Sequence, residues 1–214
     1  SAFIEILRWL FEQSKIDLSN IALTWSLADG ELLKFSDLQV KLYNGVLQHE
    51  LKVSGSFAQK QPPAKFEADL KLRGDILKQT VFSLAGNVTI EDCLFKLPEQ
   101  FSGGGFVVPS AGNINLLLKH PKVKAKFFRA PLAVESIEGK IVWQNTKDNL
   151  DVRIDKFRYQ DTWLALRGDL QFLLPQVSPD QNANSPAPVV DMRLEFRLAN
   201  LAKAKLYYPV TELP

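Results

Sequence analysis

Few residues in this chain could do covalent chemistry. Histidine occurs twice, as His49 in "LQHELKV" and His120 in "KHPK", and cysteine once, as Cys93 in "IEDCLF". His49 falls on an alternating strand pattern and His120 on a turn, and neither has a recognisable partner that would make it a general base. Cys93 reads as a small buried apolar side chain rather than a nucleophile. One cysteine excludes an internal disulfide and leaves no thiolate cluster for a metal. No Gly-x-Ser-x-Gly or His-Glu-x-x-His spacing is present. "SGGGF", 102–106, has the glycines of a phosphate loop but not the following Lys-Ser/Thr, and no strong helix comes after it. It reads as a turn. The expectation is a protein that is not an enzyme and uses neither metal nor cofactor.

Binding chemistry has one charged candidate. In "KHPKVKAKFFR", Lys122, Lys124 and Lys126 alternate with Val123, Ala125 and Phe127. The plain reading is a solvated face, or an edge strand whose lysines block aggregation. The functional reading is headgroup contact on an anionic lipid surface, worth roughly 1 kcal/mol per basic residue. A net charge of +2 is too small to point to nucleic acid.

The elements that would position these residues are strands. "IEGKIVWQ" sets Ile137, Gly139, Ile141 and Trp143 against Glu138, Lys140 and Gln144. "KFEADLKLRG" and "VDMRLEFRL" alternate in the same way, and a side-chain period of two gives each strand one dry face and one wet face. Asn44-Gly45 in "YNGV" predicts a tight hairpin turn with positive φ angles. Further strands are expected around 80–85, 87–95, 112–119, 122–128 and 132–144. "LKLRGD" at 70–75 recurs as "LALRGD" at 164–169, a faint sign of a repeated sheet module. Trp25, Phe66, Phe82, Trp143, Trp163 and Phe196 fall mostly on the apolar sides.

These patterns predict a mainly β fold: a curved antiparallel sheet with short amphipathic helices near the N- and C-termini. The organisation read from them is an N-terminal helix at 1–15, strands through 16–175, a Pro/Asn/Ser-rich flexible loop at 176–190, and a final strand with a short helix at 191–214. The N-terminal apolar run carries Glu5 and Arg8 and is too short to span a bilayer. A start without Met and an end at "TELP" read as a piece of a longer protein.

With so few helices, the dry faces must be covered in one of two ways. Either the sheet packs on another sheet, as a sandwich or barrel, or it forms an open trough satisfied by hydrocarbon. Periodicity leaves both open.

Several stretches resemble the AsmA-like proteins of Gram-negative bacteria, particularly the large YhdP group. "FFRAPLAVESIEGKIVWQ", 127–144, has a similar Phe128-Arg129-x-Pro131-Leu132 entry and Ile137-x-Gly139-x-Ile141-x-Trp143 strand, followed by "LDVRIDKFRYQDTWLALRGDLQF", 150–172. "LRWLFEQSKIDLSNIALTW", 7–25, and "AKLYYPVTELP", 204–214, resemble further modules of that group, with Tyr208 at a position more often Leu. Residues 176–190 and the lysine row have no counterpart.

The resemblance implies a segment of a periplasmic bridge, anchored in the inner membrane outside this stretch, which carries phospholipid between the inner and outer membranes. Its partners would be phospholipid acyl chains and adjoining segments of the same longer chain. The expected lining comprises Leu38, Val40, Leu42, Leu51, Val53, Phe66, Leu70, Leu72, Ile141, Trp143, Val152, Ile154, Leu164, Leu166, Leu170, Phe172, Met192, Leu194 and Phe196. Lys122, Lys124 and Lys126 are the expected headgroup contacts. The rival reading is a closed β-sandwich that binds envelope proteins or glycans without lipid.

Overall fold

The structure, a computed structural model, describes residues 5, 9–26, 32–58, 63–74, 82–96, 109–124, 132–146, 149–175 and 189–199. Ten strands form one open sheet: β1 (Lys15–Ser26), β2 (Leu32–Asn44), β3 (Gln48–Ala58), β4 (Ala64–Gly74), β5 (Phe82–Glu91), β7 (Ala111–Lys119), β10 (Ser136–Asn145), β11 (Asn149–Gln160), β12 (Leu164–Pro175) and β13 (Val189–Leu198). They lie side by side in chain order, because short links between alternating strands favour pairing with the next neighbour. A second sheet of three short strands is ordered β6 (Leu94–Lys96), β8 (Lys122–Lys124), β9 (Leu132–Ala133).

The large sheet is mixed rather than wholly antiparallel, which corrects the expectation. Eight of its neighbour pairs are antiparallel, but β5 and β7 run parallel, from Ser83↔Ala111 to Glu91↔Lys119. After β5 the chain runs on into β6 and re-enters the sheet at the end where β5 began, with Ser110 N donating to Phe82 O at 3.1 Å. The expected break near residue 86 is also absent, since β5 runs unbroken through Gly86. Alternation weakens there because β4 and β5 approach closely. A Cβ on Gly86 would lie 2.1 Å from the Asp69 carbonyl oxygen.

Helix contributes almost nothing among the described residues. Of the expected N-terminal helix, the described residues 5 and 9–12 are helical, and β1 begins at Lys15. The expected C-terminal helix and most of the expected loop lie outside the described residues, and Val189 and Val190 belong to β13. Asn44-Gly45 does not form the predicted turn. Neither residue has positive φ, and Gly45 N instead donates to Gln48 O at 2.8 Å.

Positive φ appears elsewhere. Asn20 (φ 57), Asp37 (φ 54) and Lys156 (φ 56) sit at the register shifts of β1, β2 and β11, where two residues face one. Such bulges bend and twist a strand. Asp92 (φ 56) and His120 (φ 48) turn the chain out of the large sheet and into the small one. At those junctions Lys122 N donates to Cys93 O at 2.8 Å and Val134 N to Pro121 O at 3.0 Å. Cys93, Pro121 and Val134 are buried there, with Ala64 and Leu118 buried at the same end of the large sheet.

Candidate functional site

The register carries the main structural finding. One cross-strand row reads Ile16–Leu42–Leu51–Leu70–Gly86–Ile114–Ile141–Ile154–Leu170–Met192, spanning all ten strands without a polar residue. Beside it on the same face run Leu18–Val40–Val53–Ala68–Val88–Leu116–Gly139 and Phe66–Ile90–Leu118–Ile137–Tyr159–Leu166–Phe196. The adjacent row on the opposite face is Asp17–Lys41–Lys52–Asp69–Asn87–Asn115–Lys140–Asp155, wholly polar. Slipping one strand by one residue would exchange its two faces, so patterning specifies this register strongly.

Every substantial backbone contact between described strands is between hydrogen-bonded neighbours of one sheet, and the large sheet is open, with β1 and β13 at its two edges. Burial along the first of the apolar rows is graded, although Leu18 in the row beside it is 43% exposed. Ile16 and Leu42 are 7% and 4% exposed, the central members are half-buried, and Met192 in the same row is 61% exposed. The buried end is where the helical turn sits. Asn44 Nδ2 donates to Leu10 O at 2.9 Å and Gln13 O at 2.5 Å, and the Phe11 ring meets His49 edge-on at 5.2 Å.

The predicted lining residues in the paired rows share this face, and Leu38 fills the space over Gly55 at the β2 bulge. Their surroundings differ. Leu38 and Leu42 are core, whereas Met192 and Phe196 are open to solvent. Phe66 joins Phe35 and Phe57 in a three-ring cluster with centroids 6.0–6.1 Å apart. The expected lining left out Ile114 and Leu116, and also Ile137, which the alternation of its strand had already placed on the apolar side. It also missed Phe35 and Phe57, whose placement depends on the bulge at Asp37.

The polar face is laced by cross-strand ion pairs: Lys52–Asp69 (3.2 Å), Lys119–Glu91 (2.7 Å), Arg158–Glu138 (3.1 Å) and Arg167–Glu195 (2.6 Å). The Lys119 ammonium holds the Glu91 carboxyl below the usual carboxylate range, chiefly through its hydrogen bond, and Asp69 likewise raises Lys52. A recess of about 480 Å³ opens on this face, with Lys71, Arg73, Asn113, Gln144, Asp151 and Arg153 among its lining.

Of the candidate catalytic residues, His49 lies apart, whereas His120 and Cys93 lie on adjacent segments at the junction of the two sheets, where Leu94 pairs with Lys122. His49 is 7% exposed, its Nδ1 2.7 Å from Asn44 Oδ1. It shares a cross-strand row with Gly112, while His120 lies eight residues further along the same chain direction (120 − 112), roughly 26 Å at strand rise. His120 is exposed, with Nδ1 3.7 Å from Asp92 Oδ1. Cys93 is buried, and burial pushes its thiol up to about 11.

Lys122 and Lys124 are exposed in β8, and Lys126 lies outside the described residues. Since β8 is the middle strand of the small sheet, the edge-strand explanation of these lysines is overturned. Among the described residues no group of three His, Cys, Asp or Glu could hold a metal ion, and no helix is long and apolar enough to cross a membrane. The chain matches no family model, no curated protein and no solved structure.

Proposed function

We propose that this chain is a non-enzymatic lipid-holding segment, in which phospholipid acyl chains lie against the apolar face of the ten-stranded sheet. The observation that carries the reading is the ten-residue apolar row across one open sheet, only half-buried at its centre and exposed at Met192. An incompletely buried apolar surface of that extent is rare unless it binds something. Ten strands at about 4.8 Å spacing give a face roughly 43 Å wide. An acyl chain about 15 Å long, half the hydrocarbon thickness of a bilayer, crosses three or four strands. Each methylene taken from water contributes about 0.8 kcal/mol without directional bonds, so the face can hold a chain and still let it slide.

In this reading the sheet curves into a trough, headgroups stay wet at its margin, and Lys122 and Lys124 are available to phosphate. The motif resemblance extends the proposal to a periplasmic bridge between inner and outer membranes.

Organic extraction of the purified chain followed by lipid mass spectrometry tests the reading. Near-stoichiometric phospholipid is expected, and a lipid-free extract from folded protein sinks it. The second reading, a protein- or glycan-binding envelope module, is favoured by the cationic recess at Lys71, Arg73 and Arg153. It predicts a lipid-free extract and a ligand lost on substitution of those three residues.

A further inference from the structure

The two outer strands of the large sheet are built differently. β1 has register shifts on both sides of Ile21 and a positive φ at Asn20, and such irregularities make a poor template for another strand. β13 pairs with β12 over ten consecutive residues without a shift, and contains neither Pro nor Gly. Its outer edge pairs with no described strand, and Met192 and Phe196 on it are 61% and 75% exposed.

One hydrogen bond sets the direction of its backbone groups. Ala199 N donates to Trp163 O at 2.7 Å, one step beyond the Leu164↔Leu198 pair. Inward- and outward-facing residues alternate in an antiparallel ladder. The odd-numbered residues of β13 therefore bond to β12, while Val190, Met192, Leu194, Phe196 and Leu198 turn their N–H and C=O groups outward. The side chains follow the same alternation. The even residues are apolar, and the odd ones read Asp191, Arg193, Glu195, Arg197, with charges −, +, −, +. Glu195 pairs with Arg167, whereas Asp191, Arg193 and Arg197 form no ion pair with a described residue.

We infer that β13 pairs antiparallel with β13 of a second copy, about a twofold axis through Leu194. In that register Asp191 faces Arg197 and Arg193 faces Glu195 on both sides of the axis. Met192 faces Phe196 and Val190 faces Leu198 on the apolar side. The outward backbone groups meet at the even-numbered pairs. The charged pairs fall at the non-hydrogen-bonded positions, where Cα atoms are about 4.5 Å apart and side chains approach most closely.

Charge also rejects the neighbouring registers. An axis through Arg193 sets it against its own copy and Asp191 against Glu195. An axis through Glu195 does the same for the opposite sign. The contact is isologous and therefore closes at two copies. It joins ten strands to ten in one continuous sheet, with the two apolar faces on the same side.

Sedimentation velocity of the whole chain is expected to give a dimer. The acidic variant Arg193→Glu/Arg197→Glu and the basic variant Asp191→Lys/Glu195→Lys are each expected to be monomeric, and mixing them in equal amounts restores the dimer. Met192→Pro removes an outward N–H, with no loss from the β12 ladder, and is expected to give a monomer. Far-UV circular dichroism identifies any variant that fails to fold. Independently, Leu194→Cys, which lies on the axis, cross-links to its own copy on oxidation, and Val189→Cys does not. A monomeric wild-type chain overturns the inference, whatever else then covers the edge. So does a folded acidic variant that dimerises as well as wild type, or a Val189→Cys cross-link as efficient as that of Leu194→Cys.

Discussion

Gly112 lies directly beneath the indole of Trp143, its register partner on β10: a Cβ on Gly112 would fall 2.3 Å from the ring and 2.5 Å from the Leu84 carbonyl oxygen. Trp143 Nε1 donates to Pro109 O at 3.0 Å, which fixes the ring across β7. The ring therefore floors the apolar face instead of standing out from it. Gly112→Ala must shift either the ring or the backbone of β5. Overpacking of this kind costs about 2 kcal/mol, and for a chain of this size that lowers the thermal midpoint by roughly 4–8 °C. Calorimetry checks it. An unchanged midpoint means that the ring is free to move aside.

The lipid proposal separates the two faces. Leu166→Asp and Phe196→Asp each place a charge on the apolar side, whereas Lys140→Asp changes the polar side. Recovered phospholipid is expected to fall several-fold for the first two and to stay at the wild-type level for the third, with all three chains folded by circular dichroism. Equal loss from all three would place the lipid elsewhere.

Alternation made most of this face legible in the sequence, because a period of two is the direct imprint of a pleated strand with one dry side. Leu70, Ile141, Ile154 and Leu170 could be read off individually, and the register puts them in a single row. Properties that depend on partners distant in the chain were not legible. The parallel junction of β5 and β7 follows from the return to Phe82 through residues that look like any loop. Asn44 resembled a turn former, but its side chain is spent on the Leu10 and Gln13 carbonyls. The lysines of β8 looked like edge protection because a sequence does not show which strands lie on either side.

Cys93 offers a chemical readout of the junction between the two sheets. Its thiol is raised from 9.0 to about 11, first by burial. At pH 8 the native thiolate fraction is thus about 100-fold below that of the unfolded chain, and alkylation by iodoacetamide is expected to slow by at least that factor until the protein unfolds. The linkage has a definite sign. The thiol is neutral in both states below pH 9, so its contribution to stability is intact there. Between pH 9 and 11 the unfolded chain ionises while the native chain does not, and stability falls as pH rises. Fast alkylation of the native chain at pH 8 would show that the junction opens.

Asn44 closes the deeply buried end of the apolar face, and this sets what its replacement should do. Its amide nitrogen is the only donor on that side chain, and it serves both Leu10 O and Gln13 O. Its oxygen is consequently left to accept from the His49 ring nitrogen at 2.7 Å, which assigns the proton to Nδ1. Asn44→Ala removes all three bonds at a net cost of about 2–3 kcal/mol. Asn44→Asp keeps an acceptor for His49 but turns a carboxylate oxygen toward two carbonyls, so it should be no better than Asn44→Ala. In either variant the helical turn loses its tether while the strands keep their ladders. Amides of residues 9–13 should exchange faster and the Ile16 and Leu42 side chains become accessible, with exchange in β7 and β10 unaltered. If exchange rises equally across the sheet, the turn is part of one cooperative unit with the strands, and the apolar face does not have a separately removable stopper.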